Sequence, residues 1–197
     1  MVYGIAKMLN FAHGDIIMVG AYAVITAVFT MGLPPFIAIL ISIALCALLG
    51  IVIEFLAYRP LRQAQPLAVL ITAIGVSYLL QNLALLIYGS EQKAFPTIVA
   101  LPTVHIGGVY IDGITLATLV VTAVIMVALS LFINKTRMGK AMRAVSEDKE
   151  AAELMGISVN RTITVTFAIG SALAGVAAIF YGAAYTYIRP TTGAMPG

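Results

Sequence analysis

The side chains in this sequence that could do chemistry gather in a few places. Asn10, His13 and Asp15 crowd one short stretch near the start. Gln81 and Asn82 interrupt an apolar run, and Glu54 stands alone in another. Residues 136–162 hold a dense run of charge, with Glu147 and Glu150 beside Ala151, Ala152 and Gly156. None of these groupings is an enzyme's. There is no HExxH, no CxxC and no pair of carboxylates at a catalytic spacing, so no metal and no cofactor is expected. A phosphate-binding loop needs GxxxxGK followed by Ser or Thr. At the one Gly-Lys pair, Gly139-Lys140, Ala141 follows and Asn134 stands where the first glycine is required. Cys46, the single cysteine, lies in an apolar run and reads as a small hydrophobe. His105 is isolated in a loop and reads as a surface residue.

The elements that must position these groups are membrane helices. The 197 residues are 61% hydrophobic and 10% charged, with a mean hydropathy of +1.05. Soluble domains run at about 45–50% apolar and about 25% charged. That composition excludes a soluble enzyme, a nucleic-acid-binding domain and a disordered regulator. Uncharged stretches run from Asp15 to Glu54, Arg62 to Glu91, Asp112 to Lys135 and Arg161 to Arg189. Each exceeds the about 20 residues that cross a bilayer. Gly32-Leu33-Pro34-Pro35 divides the first. The expectation is an all-α polytopic bundle forming one domain, residues 1–197. Its five spans are placed at about 16–31, 35–57, 66–88, 114–134 and 162–188. An outer loop at 89–113 contains a short hairpin in TVHIGGVYI, and a cytoplasmic loop fills 135–161. Nine Lys and Arg fall on one side and two, Lys93 and Arg189, on the other. The positive-inside rule makes the nine-charge side cytoplasmic, with the N-terminus there and the C-terminus outside. The net charge of +3 then reflects topology, and no nucleic acid is needed to explain it.

The first span is short: 16 residues rise only about 24 Å, against about 30 Å of hydrocarbon. This pulls Asn10, His13 and Asp15 towards the bilayer, where polar groups need partners or a cavity. A half-helix beginning near Gly14-Asp15 would present its amide donors to a carboxylate in a pore; an interfacial turn is the plainer alternative. Gln81 and Asn82 fit an interhelical hydrogen bond or the lining of a path. Glu54 fits an interfacial salt bridge with Arg59. Gly170, Ala174, Ala178 and Gly182 recur every fourth residue and predict a close packing seam, within the chain or against a partner.

In the charged loop, Ser146 suits an N-cap with Glu147 and Asp148 in the first turn. Ala151, Ala152, Leu154 and Met155 form a small apolar face, and Gly156 suits the position just past the helix end. A helix of about nine residues follows, too short to stand alone.

Glu150-Ala151-Ala152 with Gly156 resembles the EAA signature of ABC importer permeases. Met8-Leu9-Asn10-Phe11-Ala12-His13-Gly14-Asp15, Tyr58-Arg59-Pro60-Leu61-Arg62, TAIGVSYLLQN and TRMGKAMRAVSEDKEAAELMGI together resemble the branched-chain amino acid permeases of LivH type. The resemblance covers nearly the whole chain. It implies that the short helix docks on cytoplasmic ATP-binding subunits through Glu147, Glu150, Ala151, Ala152 and Gly156. It also implies a second permease subunit, an external substrate-binding protein, and residence in a bacterial or archaeal inner membrane, in contact with lipid. The implied cargo is leucine, isoleucine and valine, with urea or short amides as the alternative. An ion-coupled carrier is a competing class that would need more intramembrane acids, and an intramembrane enzyme would need a nucleophile–base pair. The family has a further span before and more after the region matched, so this chain is expected to be a fragment.

Overall fold

The computed structural model describes residues 12–62, 64–98, 102–106 and 109–194. Helix α1 runs His13–Ile25 and continues as a π-helical turn, Thr26–Thr30. Gly32 then takes a left-handed φ of 63°. Pro34 is extended, and Pro35 opens α2 (Pro35–Ile53), where its missing N–H would have had no helical acceptor anyway. α2 ends in a π-helical turn, Glu54–Tyr58, and a 3₁₀ turn, Arg59–Leu61. Pro66 opens α3 (Pro66–Tyr88) in the same way. Strand β1 is Lys93–Ala94, and β2 (Val104–Ile106) pairs antiparallel with β3 (Val109–Ile111) as the expected hairpin. α4 spans Gly113–Lys135, α5 Arg137–Glu147, α6 Lys149–Leu154 and α7 Val159–Tyr185. Strand β4 (Tyr187–Ile188) and a 3₁₀ turn (Thr192–Ala194) follow.

Among the described residues, five helical segments are long and apolar enough to cross a bilayer: His13–Thr30, Pro35–Leu61, Pro66–Tyr88, Gly113–Lys135 and Val159–Tyr185. Their outer surfaces are oily: Phe36 is 70% exposed and Leu86 83%. Three spans differ from expectation by three residues or more at one or both ends. The first helix begins at His13, three residues early. The second runs on to Leu61 by loosening into π and 3₁₀ turns. The last begins at Val159 and stops at Tyr185, because Thr186 turns left-handed (φ 60°) and passes the chain into β4.

α1, α2 and α7 form the packed centre. They approach closely because small residues face one another. A Cβ on Gly20 would come within 2.8 Å of Cys46 Sγ and 3.0 Å of Ala178 Cβ. One on Gly175 would come within 2.9 Å of Ile43 Cα, and one on Gly50 would strike Ser171. α4 lies outside this centre, with Gly113 its single buried residue.

Hydrogen bonds fix the registers. Ser42 Oγ donates to Gly20 O at 2.9 Å, and Cys46 Sγ to Ile16 O at 3.5 Å, so α1 and α2 are antiparallel. Asp15 meets Gln81, and Tyr22, seven residues on, stacks on Tyr88 at 4.2 Å, so α1 and α3 are parallel. Cys46 lies fifteen residues before Leu61, roughly 22 Å at about 1.5 Å each, and eleven after Pro35, roughly 16 Å. α1 therefore begins near the middle depth of the bundle. The chain also returns to that depth after α7. β4 pairs antiparallel with β1, Lys93 opposite Ile188, and Gly193 then packs so tightly on Asp15 that a Cβ there would strike its carboxylate.

Candidate functional site

The first group of polar residues centres on Asp15. It stands in the first turn of α1, fully buried. Gln81 Nε2 donates to Asp15 Oδ1 at 3.0 Å and to Ser77 Oγ at 3.1 Å. Oδ2 of Asp15 has no hydrogen-bond partner among the described residues, and neither does the hydroxyl of buried Tyr22. A buried carboxylate oxygen without a partner is costly, and here the carboxylate lies at mid-depth between α3 and the Gly193 turn. Asp15 and Gln81 are thus brought together. His13, two residues before Asp15, is half-buried, and Asn10 lies outside the described residues. Asn82 faces elsewhere: it is exposed and donates to Tyr78 O of its own helix at 2.7 Å. Gly75, Tyr78 and Asn82 share an uncovered stripe of α3, with open space around Gly75. Ser77 and Gly193 were missing from the sequence reading. Ser77 sits one helical turn before Gln81 and was findable from spacing; Gly193 is brought in by the return of the chain.

The second group lies at one end of the bundle, where α5, α6 and the start of α7 carry the basic charge. This region is two helices. α5 buries Gly139, Met142 and Val145. Thr136 caps it, its Oγ1 accepting from Gly139 N at 2.9 Å. Gly139 is required at the bend, since a Cβ would strike the backbone of Phe132 and Ile133. The cap expected at Ser146 is corrected. Ser146 lies inside α5 and donates to Arg143 O. Asp148 is the N-cap, its Oδ1 accepting from Glu150 N at 2.9 Å and Ala151 N at 3.1 Å. Its extended backbone separates the two helices. α6 therefore has six residues, and Glu147 ends α5, leaving Glu150 as the acid of the first turn of α6. Ala152 is buried; Glu150, Ala151, Leu154 and Met155 are exposed. Gly156 takes φ 79°. Its N–H donates to Glu153 O and that of Ile157 to Ala152 O, at 2.9 and 3.0 Å. That pairing is a Schellman closure, which favours glycine at the left-handed position.

Glu54 forms a third cluster. Its partner is Arg62, correcting the expected Arg59, which lies over the Phe55 ring at 5.2 Å. Thr164 Oγ1 donates to Glu54 Oε2 at 2.7 Å, and Arg62 also donates to Asn160. The π turn displaces Arg59 from Glu54's face, while the following 3₁₀ turn brings Arg62 back. In α7, Gly170, Ala174, Ala178 and Gly182 are all buried. Ala178 meets Gly20, and Gly182 lies under the Phe95 ring.

The five apolar spans among the described residues, with an exposed short helix at the basic end, define a multi-pass membrane protein. Residues 1–197 match the family described as branched-chain amino acid transport system / permease component. The chain belongs to this family of transport permeases. It is 42% identical over 209 residues to the high-affinity branched-chain amino acid transport system permease protein BraD of Pseudomonas aeruginosa. It is 39% identical over 216 residues to the corresponding protein LivH of Escherichia coli K12. Each alignment covers 100% of this chain and 68% of the relative. A probable branched-chain amino acid permease protein LivH of Methanocaldococcus jannaschii is 27% identical over 186 residues, covering 90% of this chain and 58% of the relative. No solved structure matches the chain.

Proposed function

We propose that this chain is a membrane-spanning subunit of an ATP-driven importer of leucine, isoleucine and valine in a bacterial or archaeal inner membrane. The observation that carries this reading is α6. It is a short capped helix closed by Gly156, with Glu150, Ala151, Leu154 and Met155 uncovered at the basic end of the bundle. Leu154 is 90% exposed and Met155 83%, which suits a surface covered by another protein. That protein is a cytoplasmic ATP-binding subunit, and ATP hydrolysis resides there. An external binding protein delivers cargo at the hairpin end, and a second permease subunit completes the path. The residues from Arg137 to Arg161 face the cytoplasm.

The α3 stripe of Gly75, Tyr78 and Asn82 faces that path or the second permease. Polar Asn82 and Tyr78 are poor lipid neighbours at this depth. Asp15 interacts with the cargo ammonium once the bundle opens. Its own negative charge in the first turn of α1 makes a cargo carboxylate unwelcome there.

The test uses the complete transporter in proteoliposomes with its binding protein. Glu150→Lys and Gly156→Pro are compared with wild type for retained ATP-binding subunit and for uptake of labelled leucine and urea. Both variants should lose the subunit and leucine uptake together. Retention of the subunit, or uptake without ATP, would refute the docking role and return the ion-coupled carrier. Urea uptake in place of leucine would overturn the cargo.

A further inference from the structure

We propose that the cluster of Arg62, Asn160 and Thr164 around buried Glu54 is the positioning node that carries motion of α6 into the centre of the bundle. This rests on the docking of α6 proposed above. Glu54 is fully buried near the basic end, and the Arg62 side chain is 13% exposed. Arg62 bridges Glu54 to Asn160, and Thr164 closes the other carboxylate oxygen at 2.7 Å. The four residues come from the π turn that ends α2, the connection to α3, and the first turns of α7.

α7 begins at Val159, three residues after Gly156. Ile157 is tied back to Ala152 by a backbone hydrogen bond. A push on α6 therefore reaches Asn160 and Thr164 through a short, hydrogen-bonded connection. From there the cluster is the polar link to α2. α2 is in turn hydrogen-bonded to α1 through Ser42 and Cys46, next to Asp15. An apolar contact between α2 and α7 could slide, whereas a buried ion pair with two further hydrogen bonds has one good geometry. The π turn that carries Glu54 is a device found where helices serve function more than stability.

The experiment measures leucine taken up per ATP hydrolysed by the complete transporter in proteoliposomes. The variants are Glu54→Gln, Arg62→Gln, the two combined, and the milder Thr164→Val. Retained ATP-binding subunit and basal hydrolysis are read in parallel. The expected result is wild-type retention and basal hydrolysis with leucine per ATP lowered about fivefold in each charge variant, a size typical of coupling through a residue network. The combined variant should be no worse than either single one, and Thr164→Val should lose about twofold. A wild-type ratio in the assembled variants would overturn the proposal. If the charge variants fail to assemble, Thr164→Val decides, and a wild-type ratio there overturns the node. Leucine uptake by wild type with no ATP-binding subunit bound would instead sink the importer reading, and the node's role with it.

Discussion

Asp15 holds one oxygen against Gln81 and leaves the other without a partner. Replacing it with Asn keeps an acceptor for Gln81 but removes the charge. A charge-assisted hydrogen bond is worth about 1.5–3 kcal/mol, so Asp15→Asn should slow leucine uptake at least roughly tenfold. Assembly of the transporter, read by size-exclusion chromatography, should be unchanged. Uptake at the wild-type rate would remove Asp15 from the path. Asn82 gives the contrasting case. Its amide bonds only to its own helix and its face is uncovered. Asn82→Leu should leave thermal stability within about 0.5 kcal/mol, as uncovered sites do, while lowering uptake. Sequence alone named both residues but not their difference. Adjacent positions on a helix point about 100° apart, and which of the two faces inward depends on where α1 lies.

At the scale of elements, α6 depends on its two ends. Asp148 supplies two hydrogen bonds at the start, and removing such a cap costs about 1 kcal/mol. Gly156 supplies the left-handed turn at the finish, where alanine also costs about 1 kcal/mol. Asparagine tolerates that conformation. Gly156→Ala should therefore weaken binding of the ATP-binding subunit, and Gly156→Asn should bind more tightly than Gly156→Ala. Pull-down titration with the purified subunit checks the order, and equal affinities would show that the turn is not what presents α6. The glycine was legible because its role is local. The division into α5 and α6 was not, because Ser146, Asp148 and the acids around them all suit a cap. Only the backbone decides which one takes it.

For the whole molecule, the centre is α1 held between α2 and α7 by small residues. Gly50→Val should force Ser171 and the backbone behind it to move. Overpacking of this kind costs about 1–3 kcal/mol and should lower the detergent melting temperature. Gly75→Ala, with open space around it, should leave it unchanged. The five spans and their breaks were readable from charge spacing and prolines, since the bilayer imposes length and polarity directly on the sequence. The register was not readable. That α1 starts at mid-depth, and that the chain folds back to Gly193, depends on pairings between residues up to 178 positions apart, such as Asp15 and Gly193.

Cys46 sits inside this centre, fully buried, with its sulfur turned to Ile16 O. Within these 197 residues it is the one thiol, and it is sealed from aqueous reagents. A maleimide should leave it untouched in the native bundle and label it after denaturation. The native sequence thus offers a silent background for spectroscopy. A cysteine placed at Met155 or at Lys93 would be the reporter that reacts, and a spin label or dye at either end could follow the bundle through its cycle.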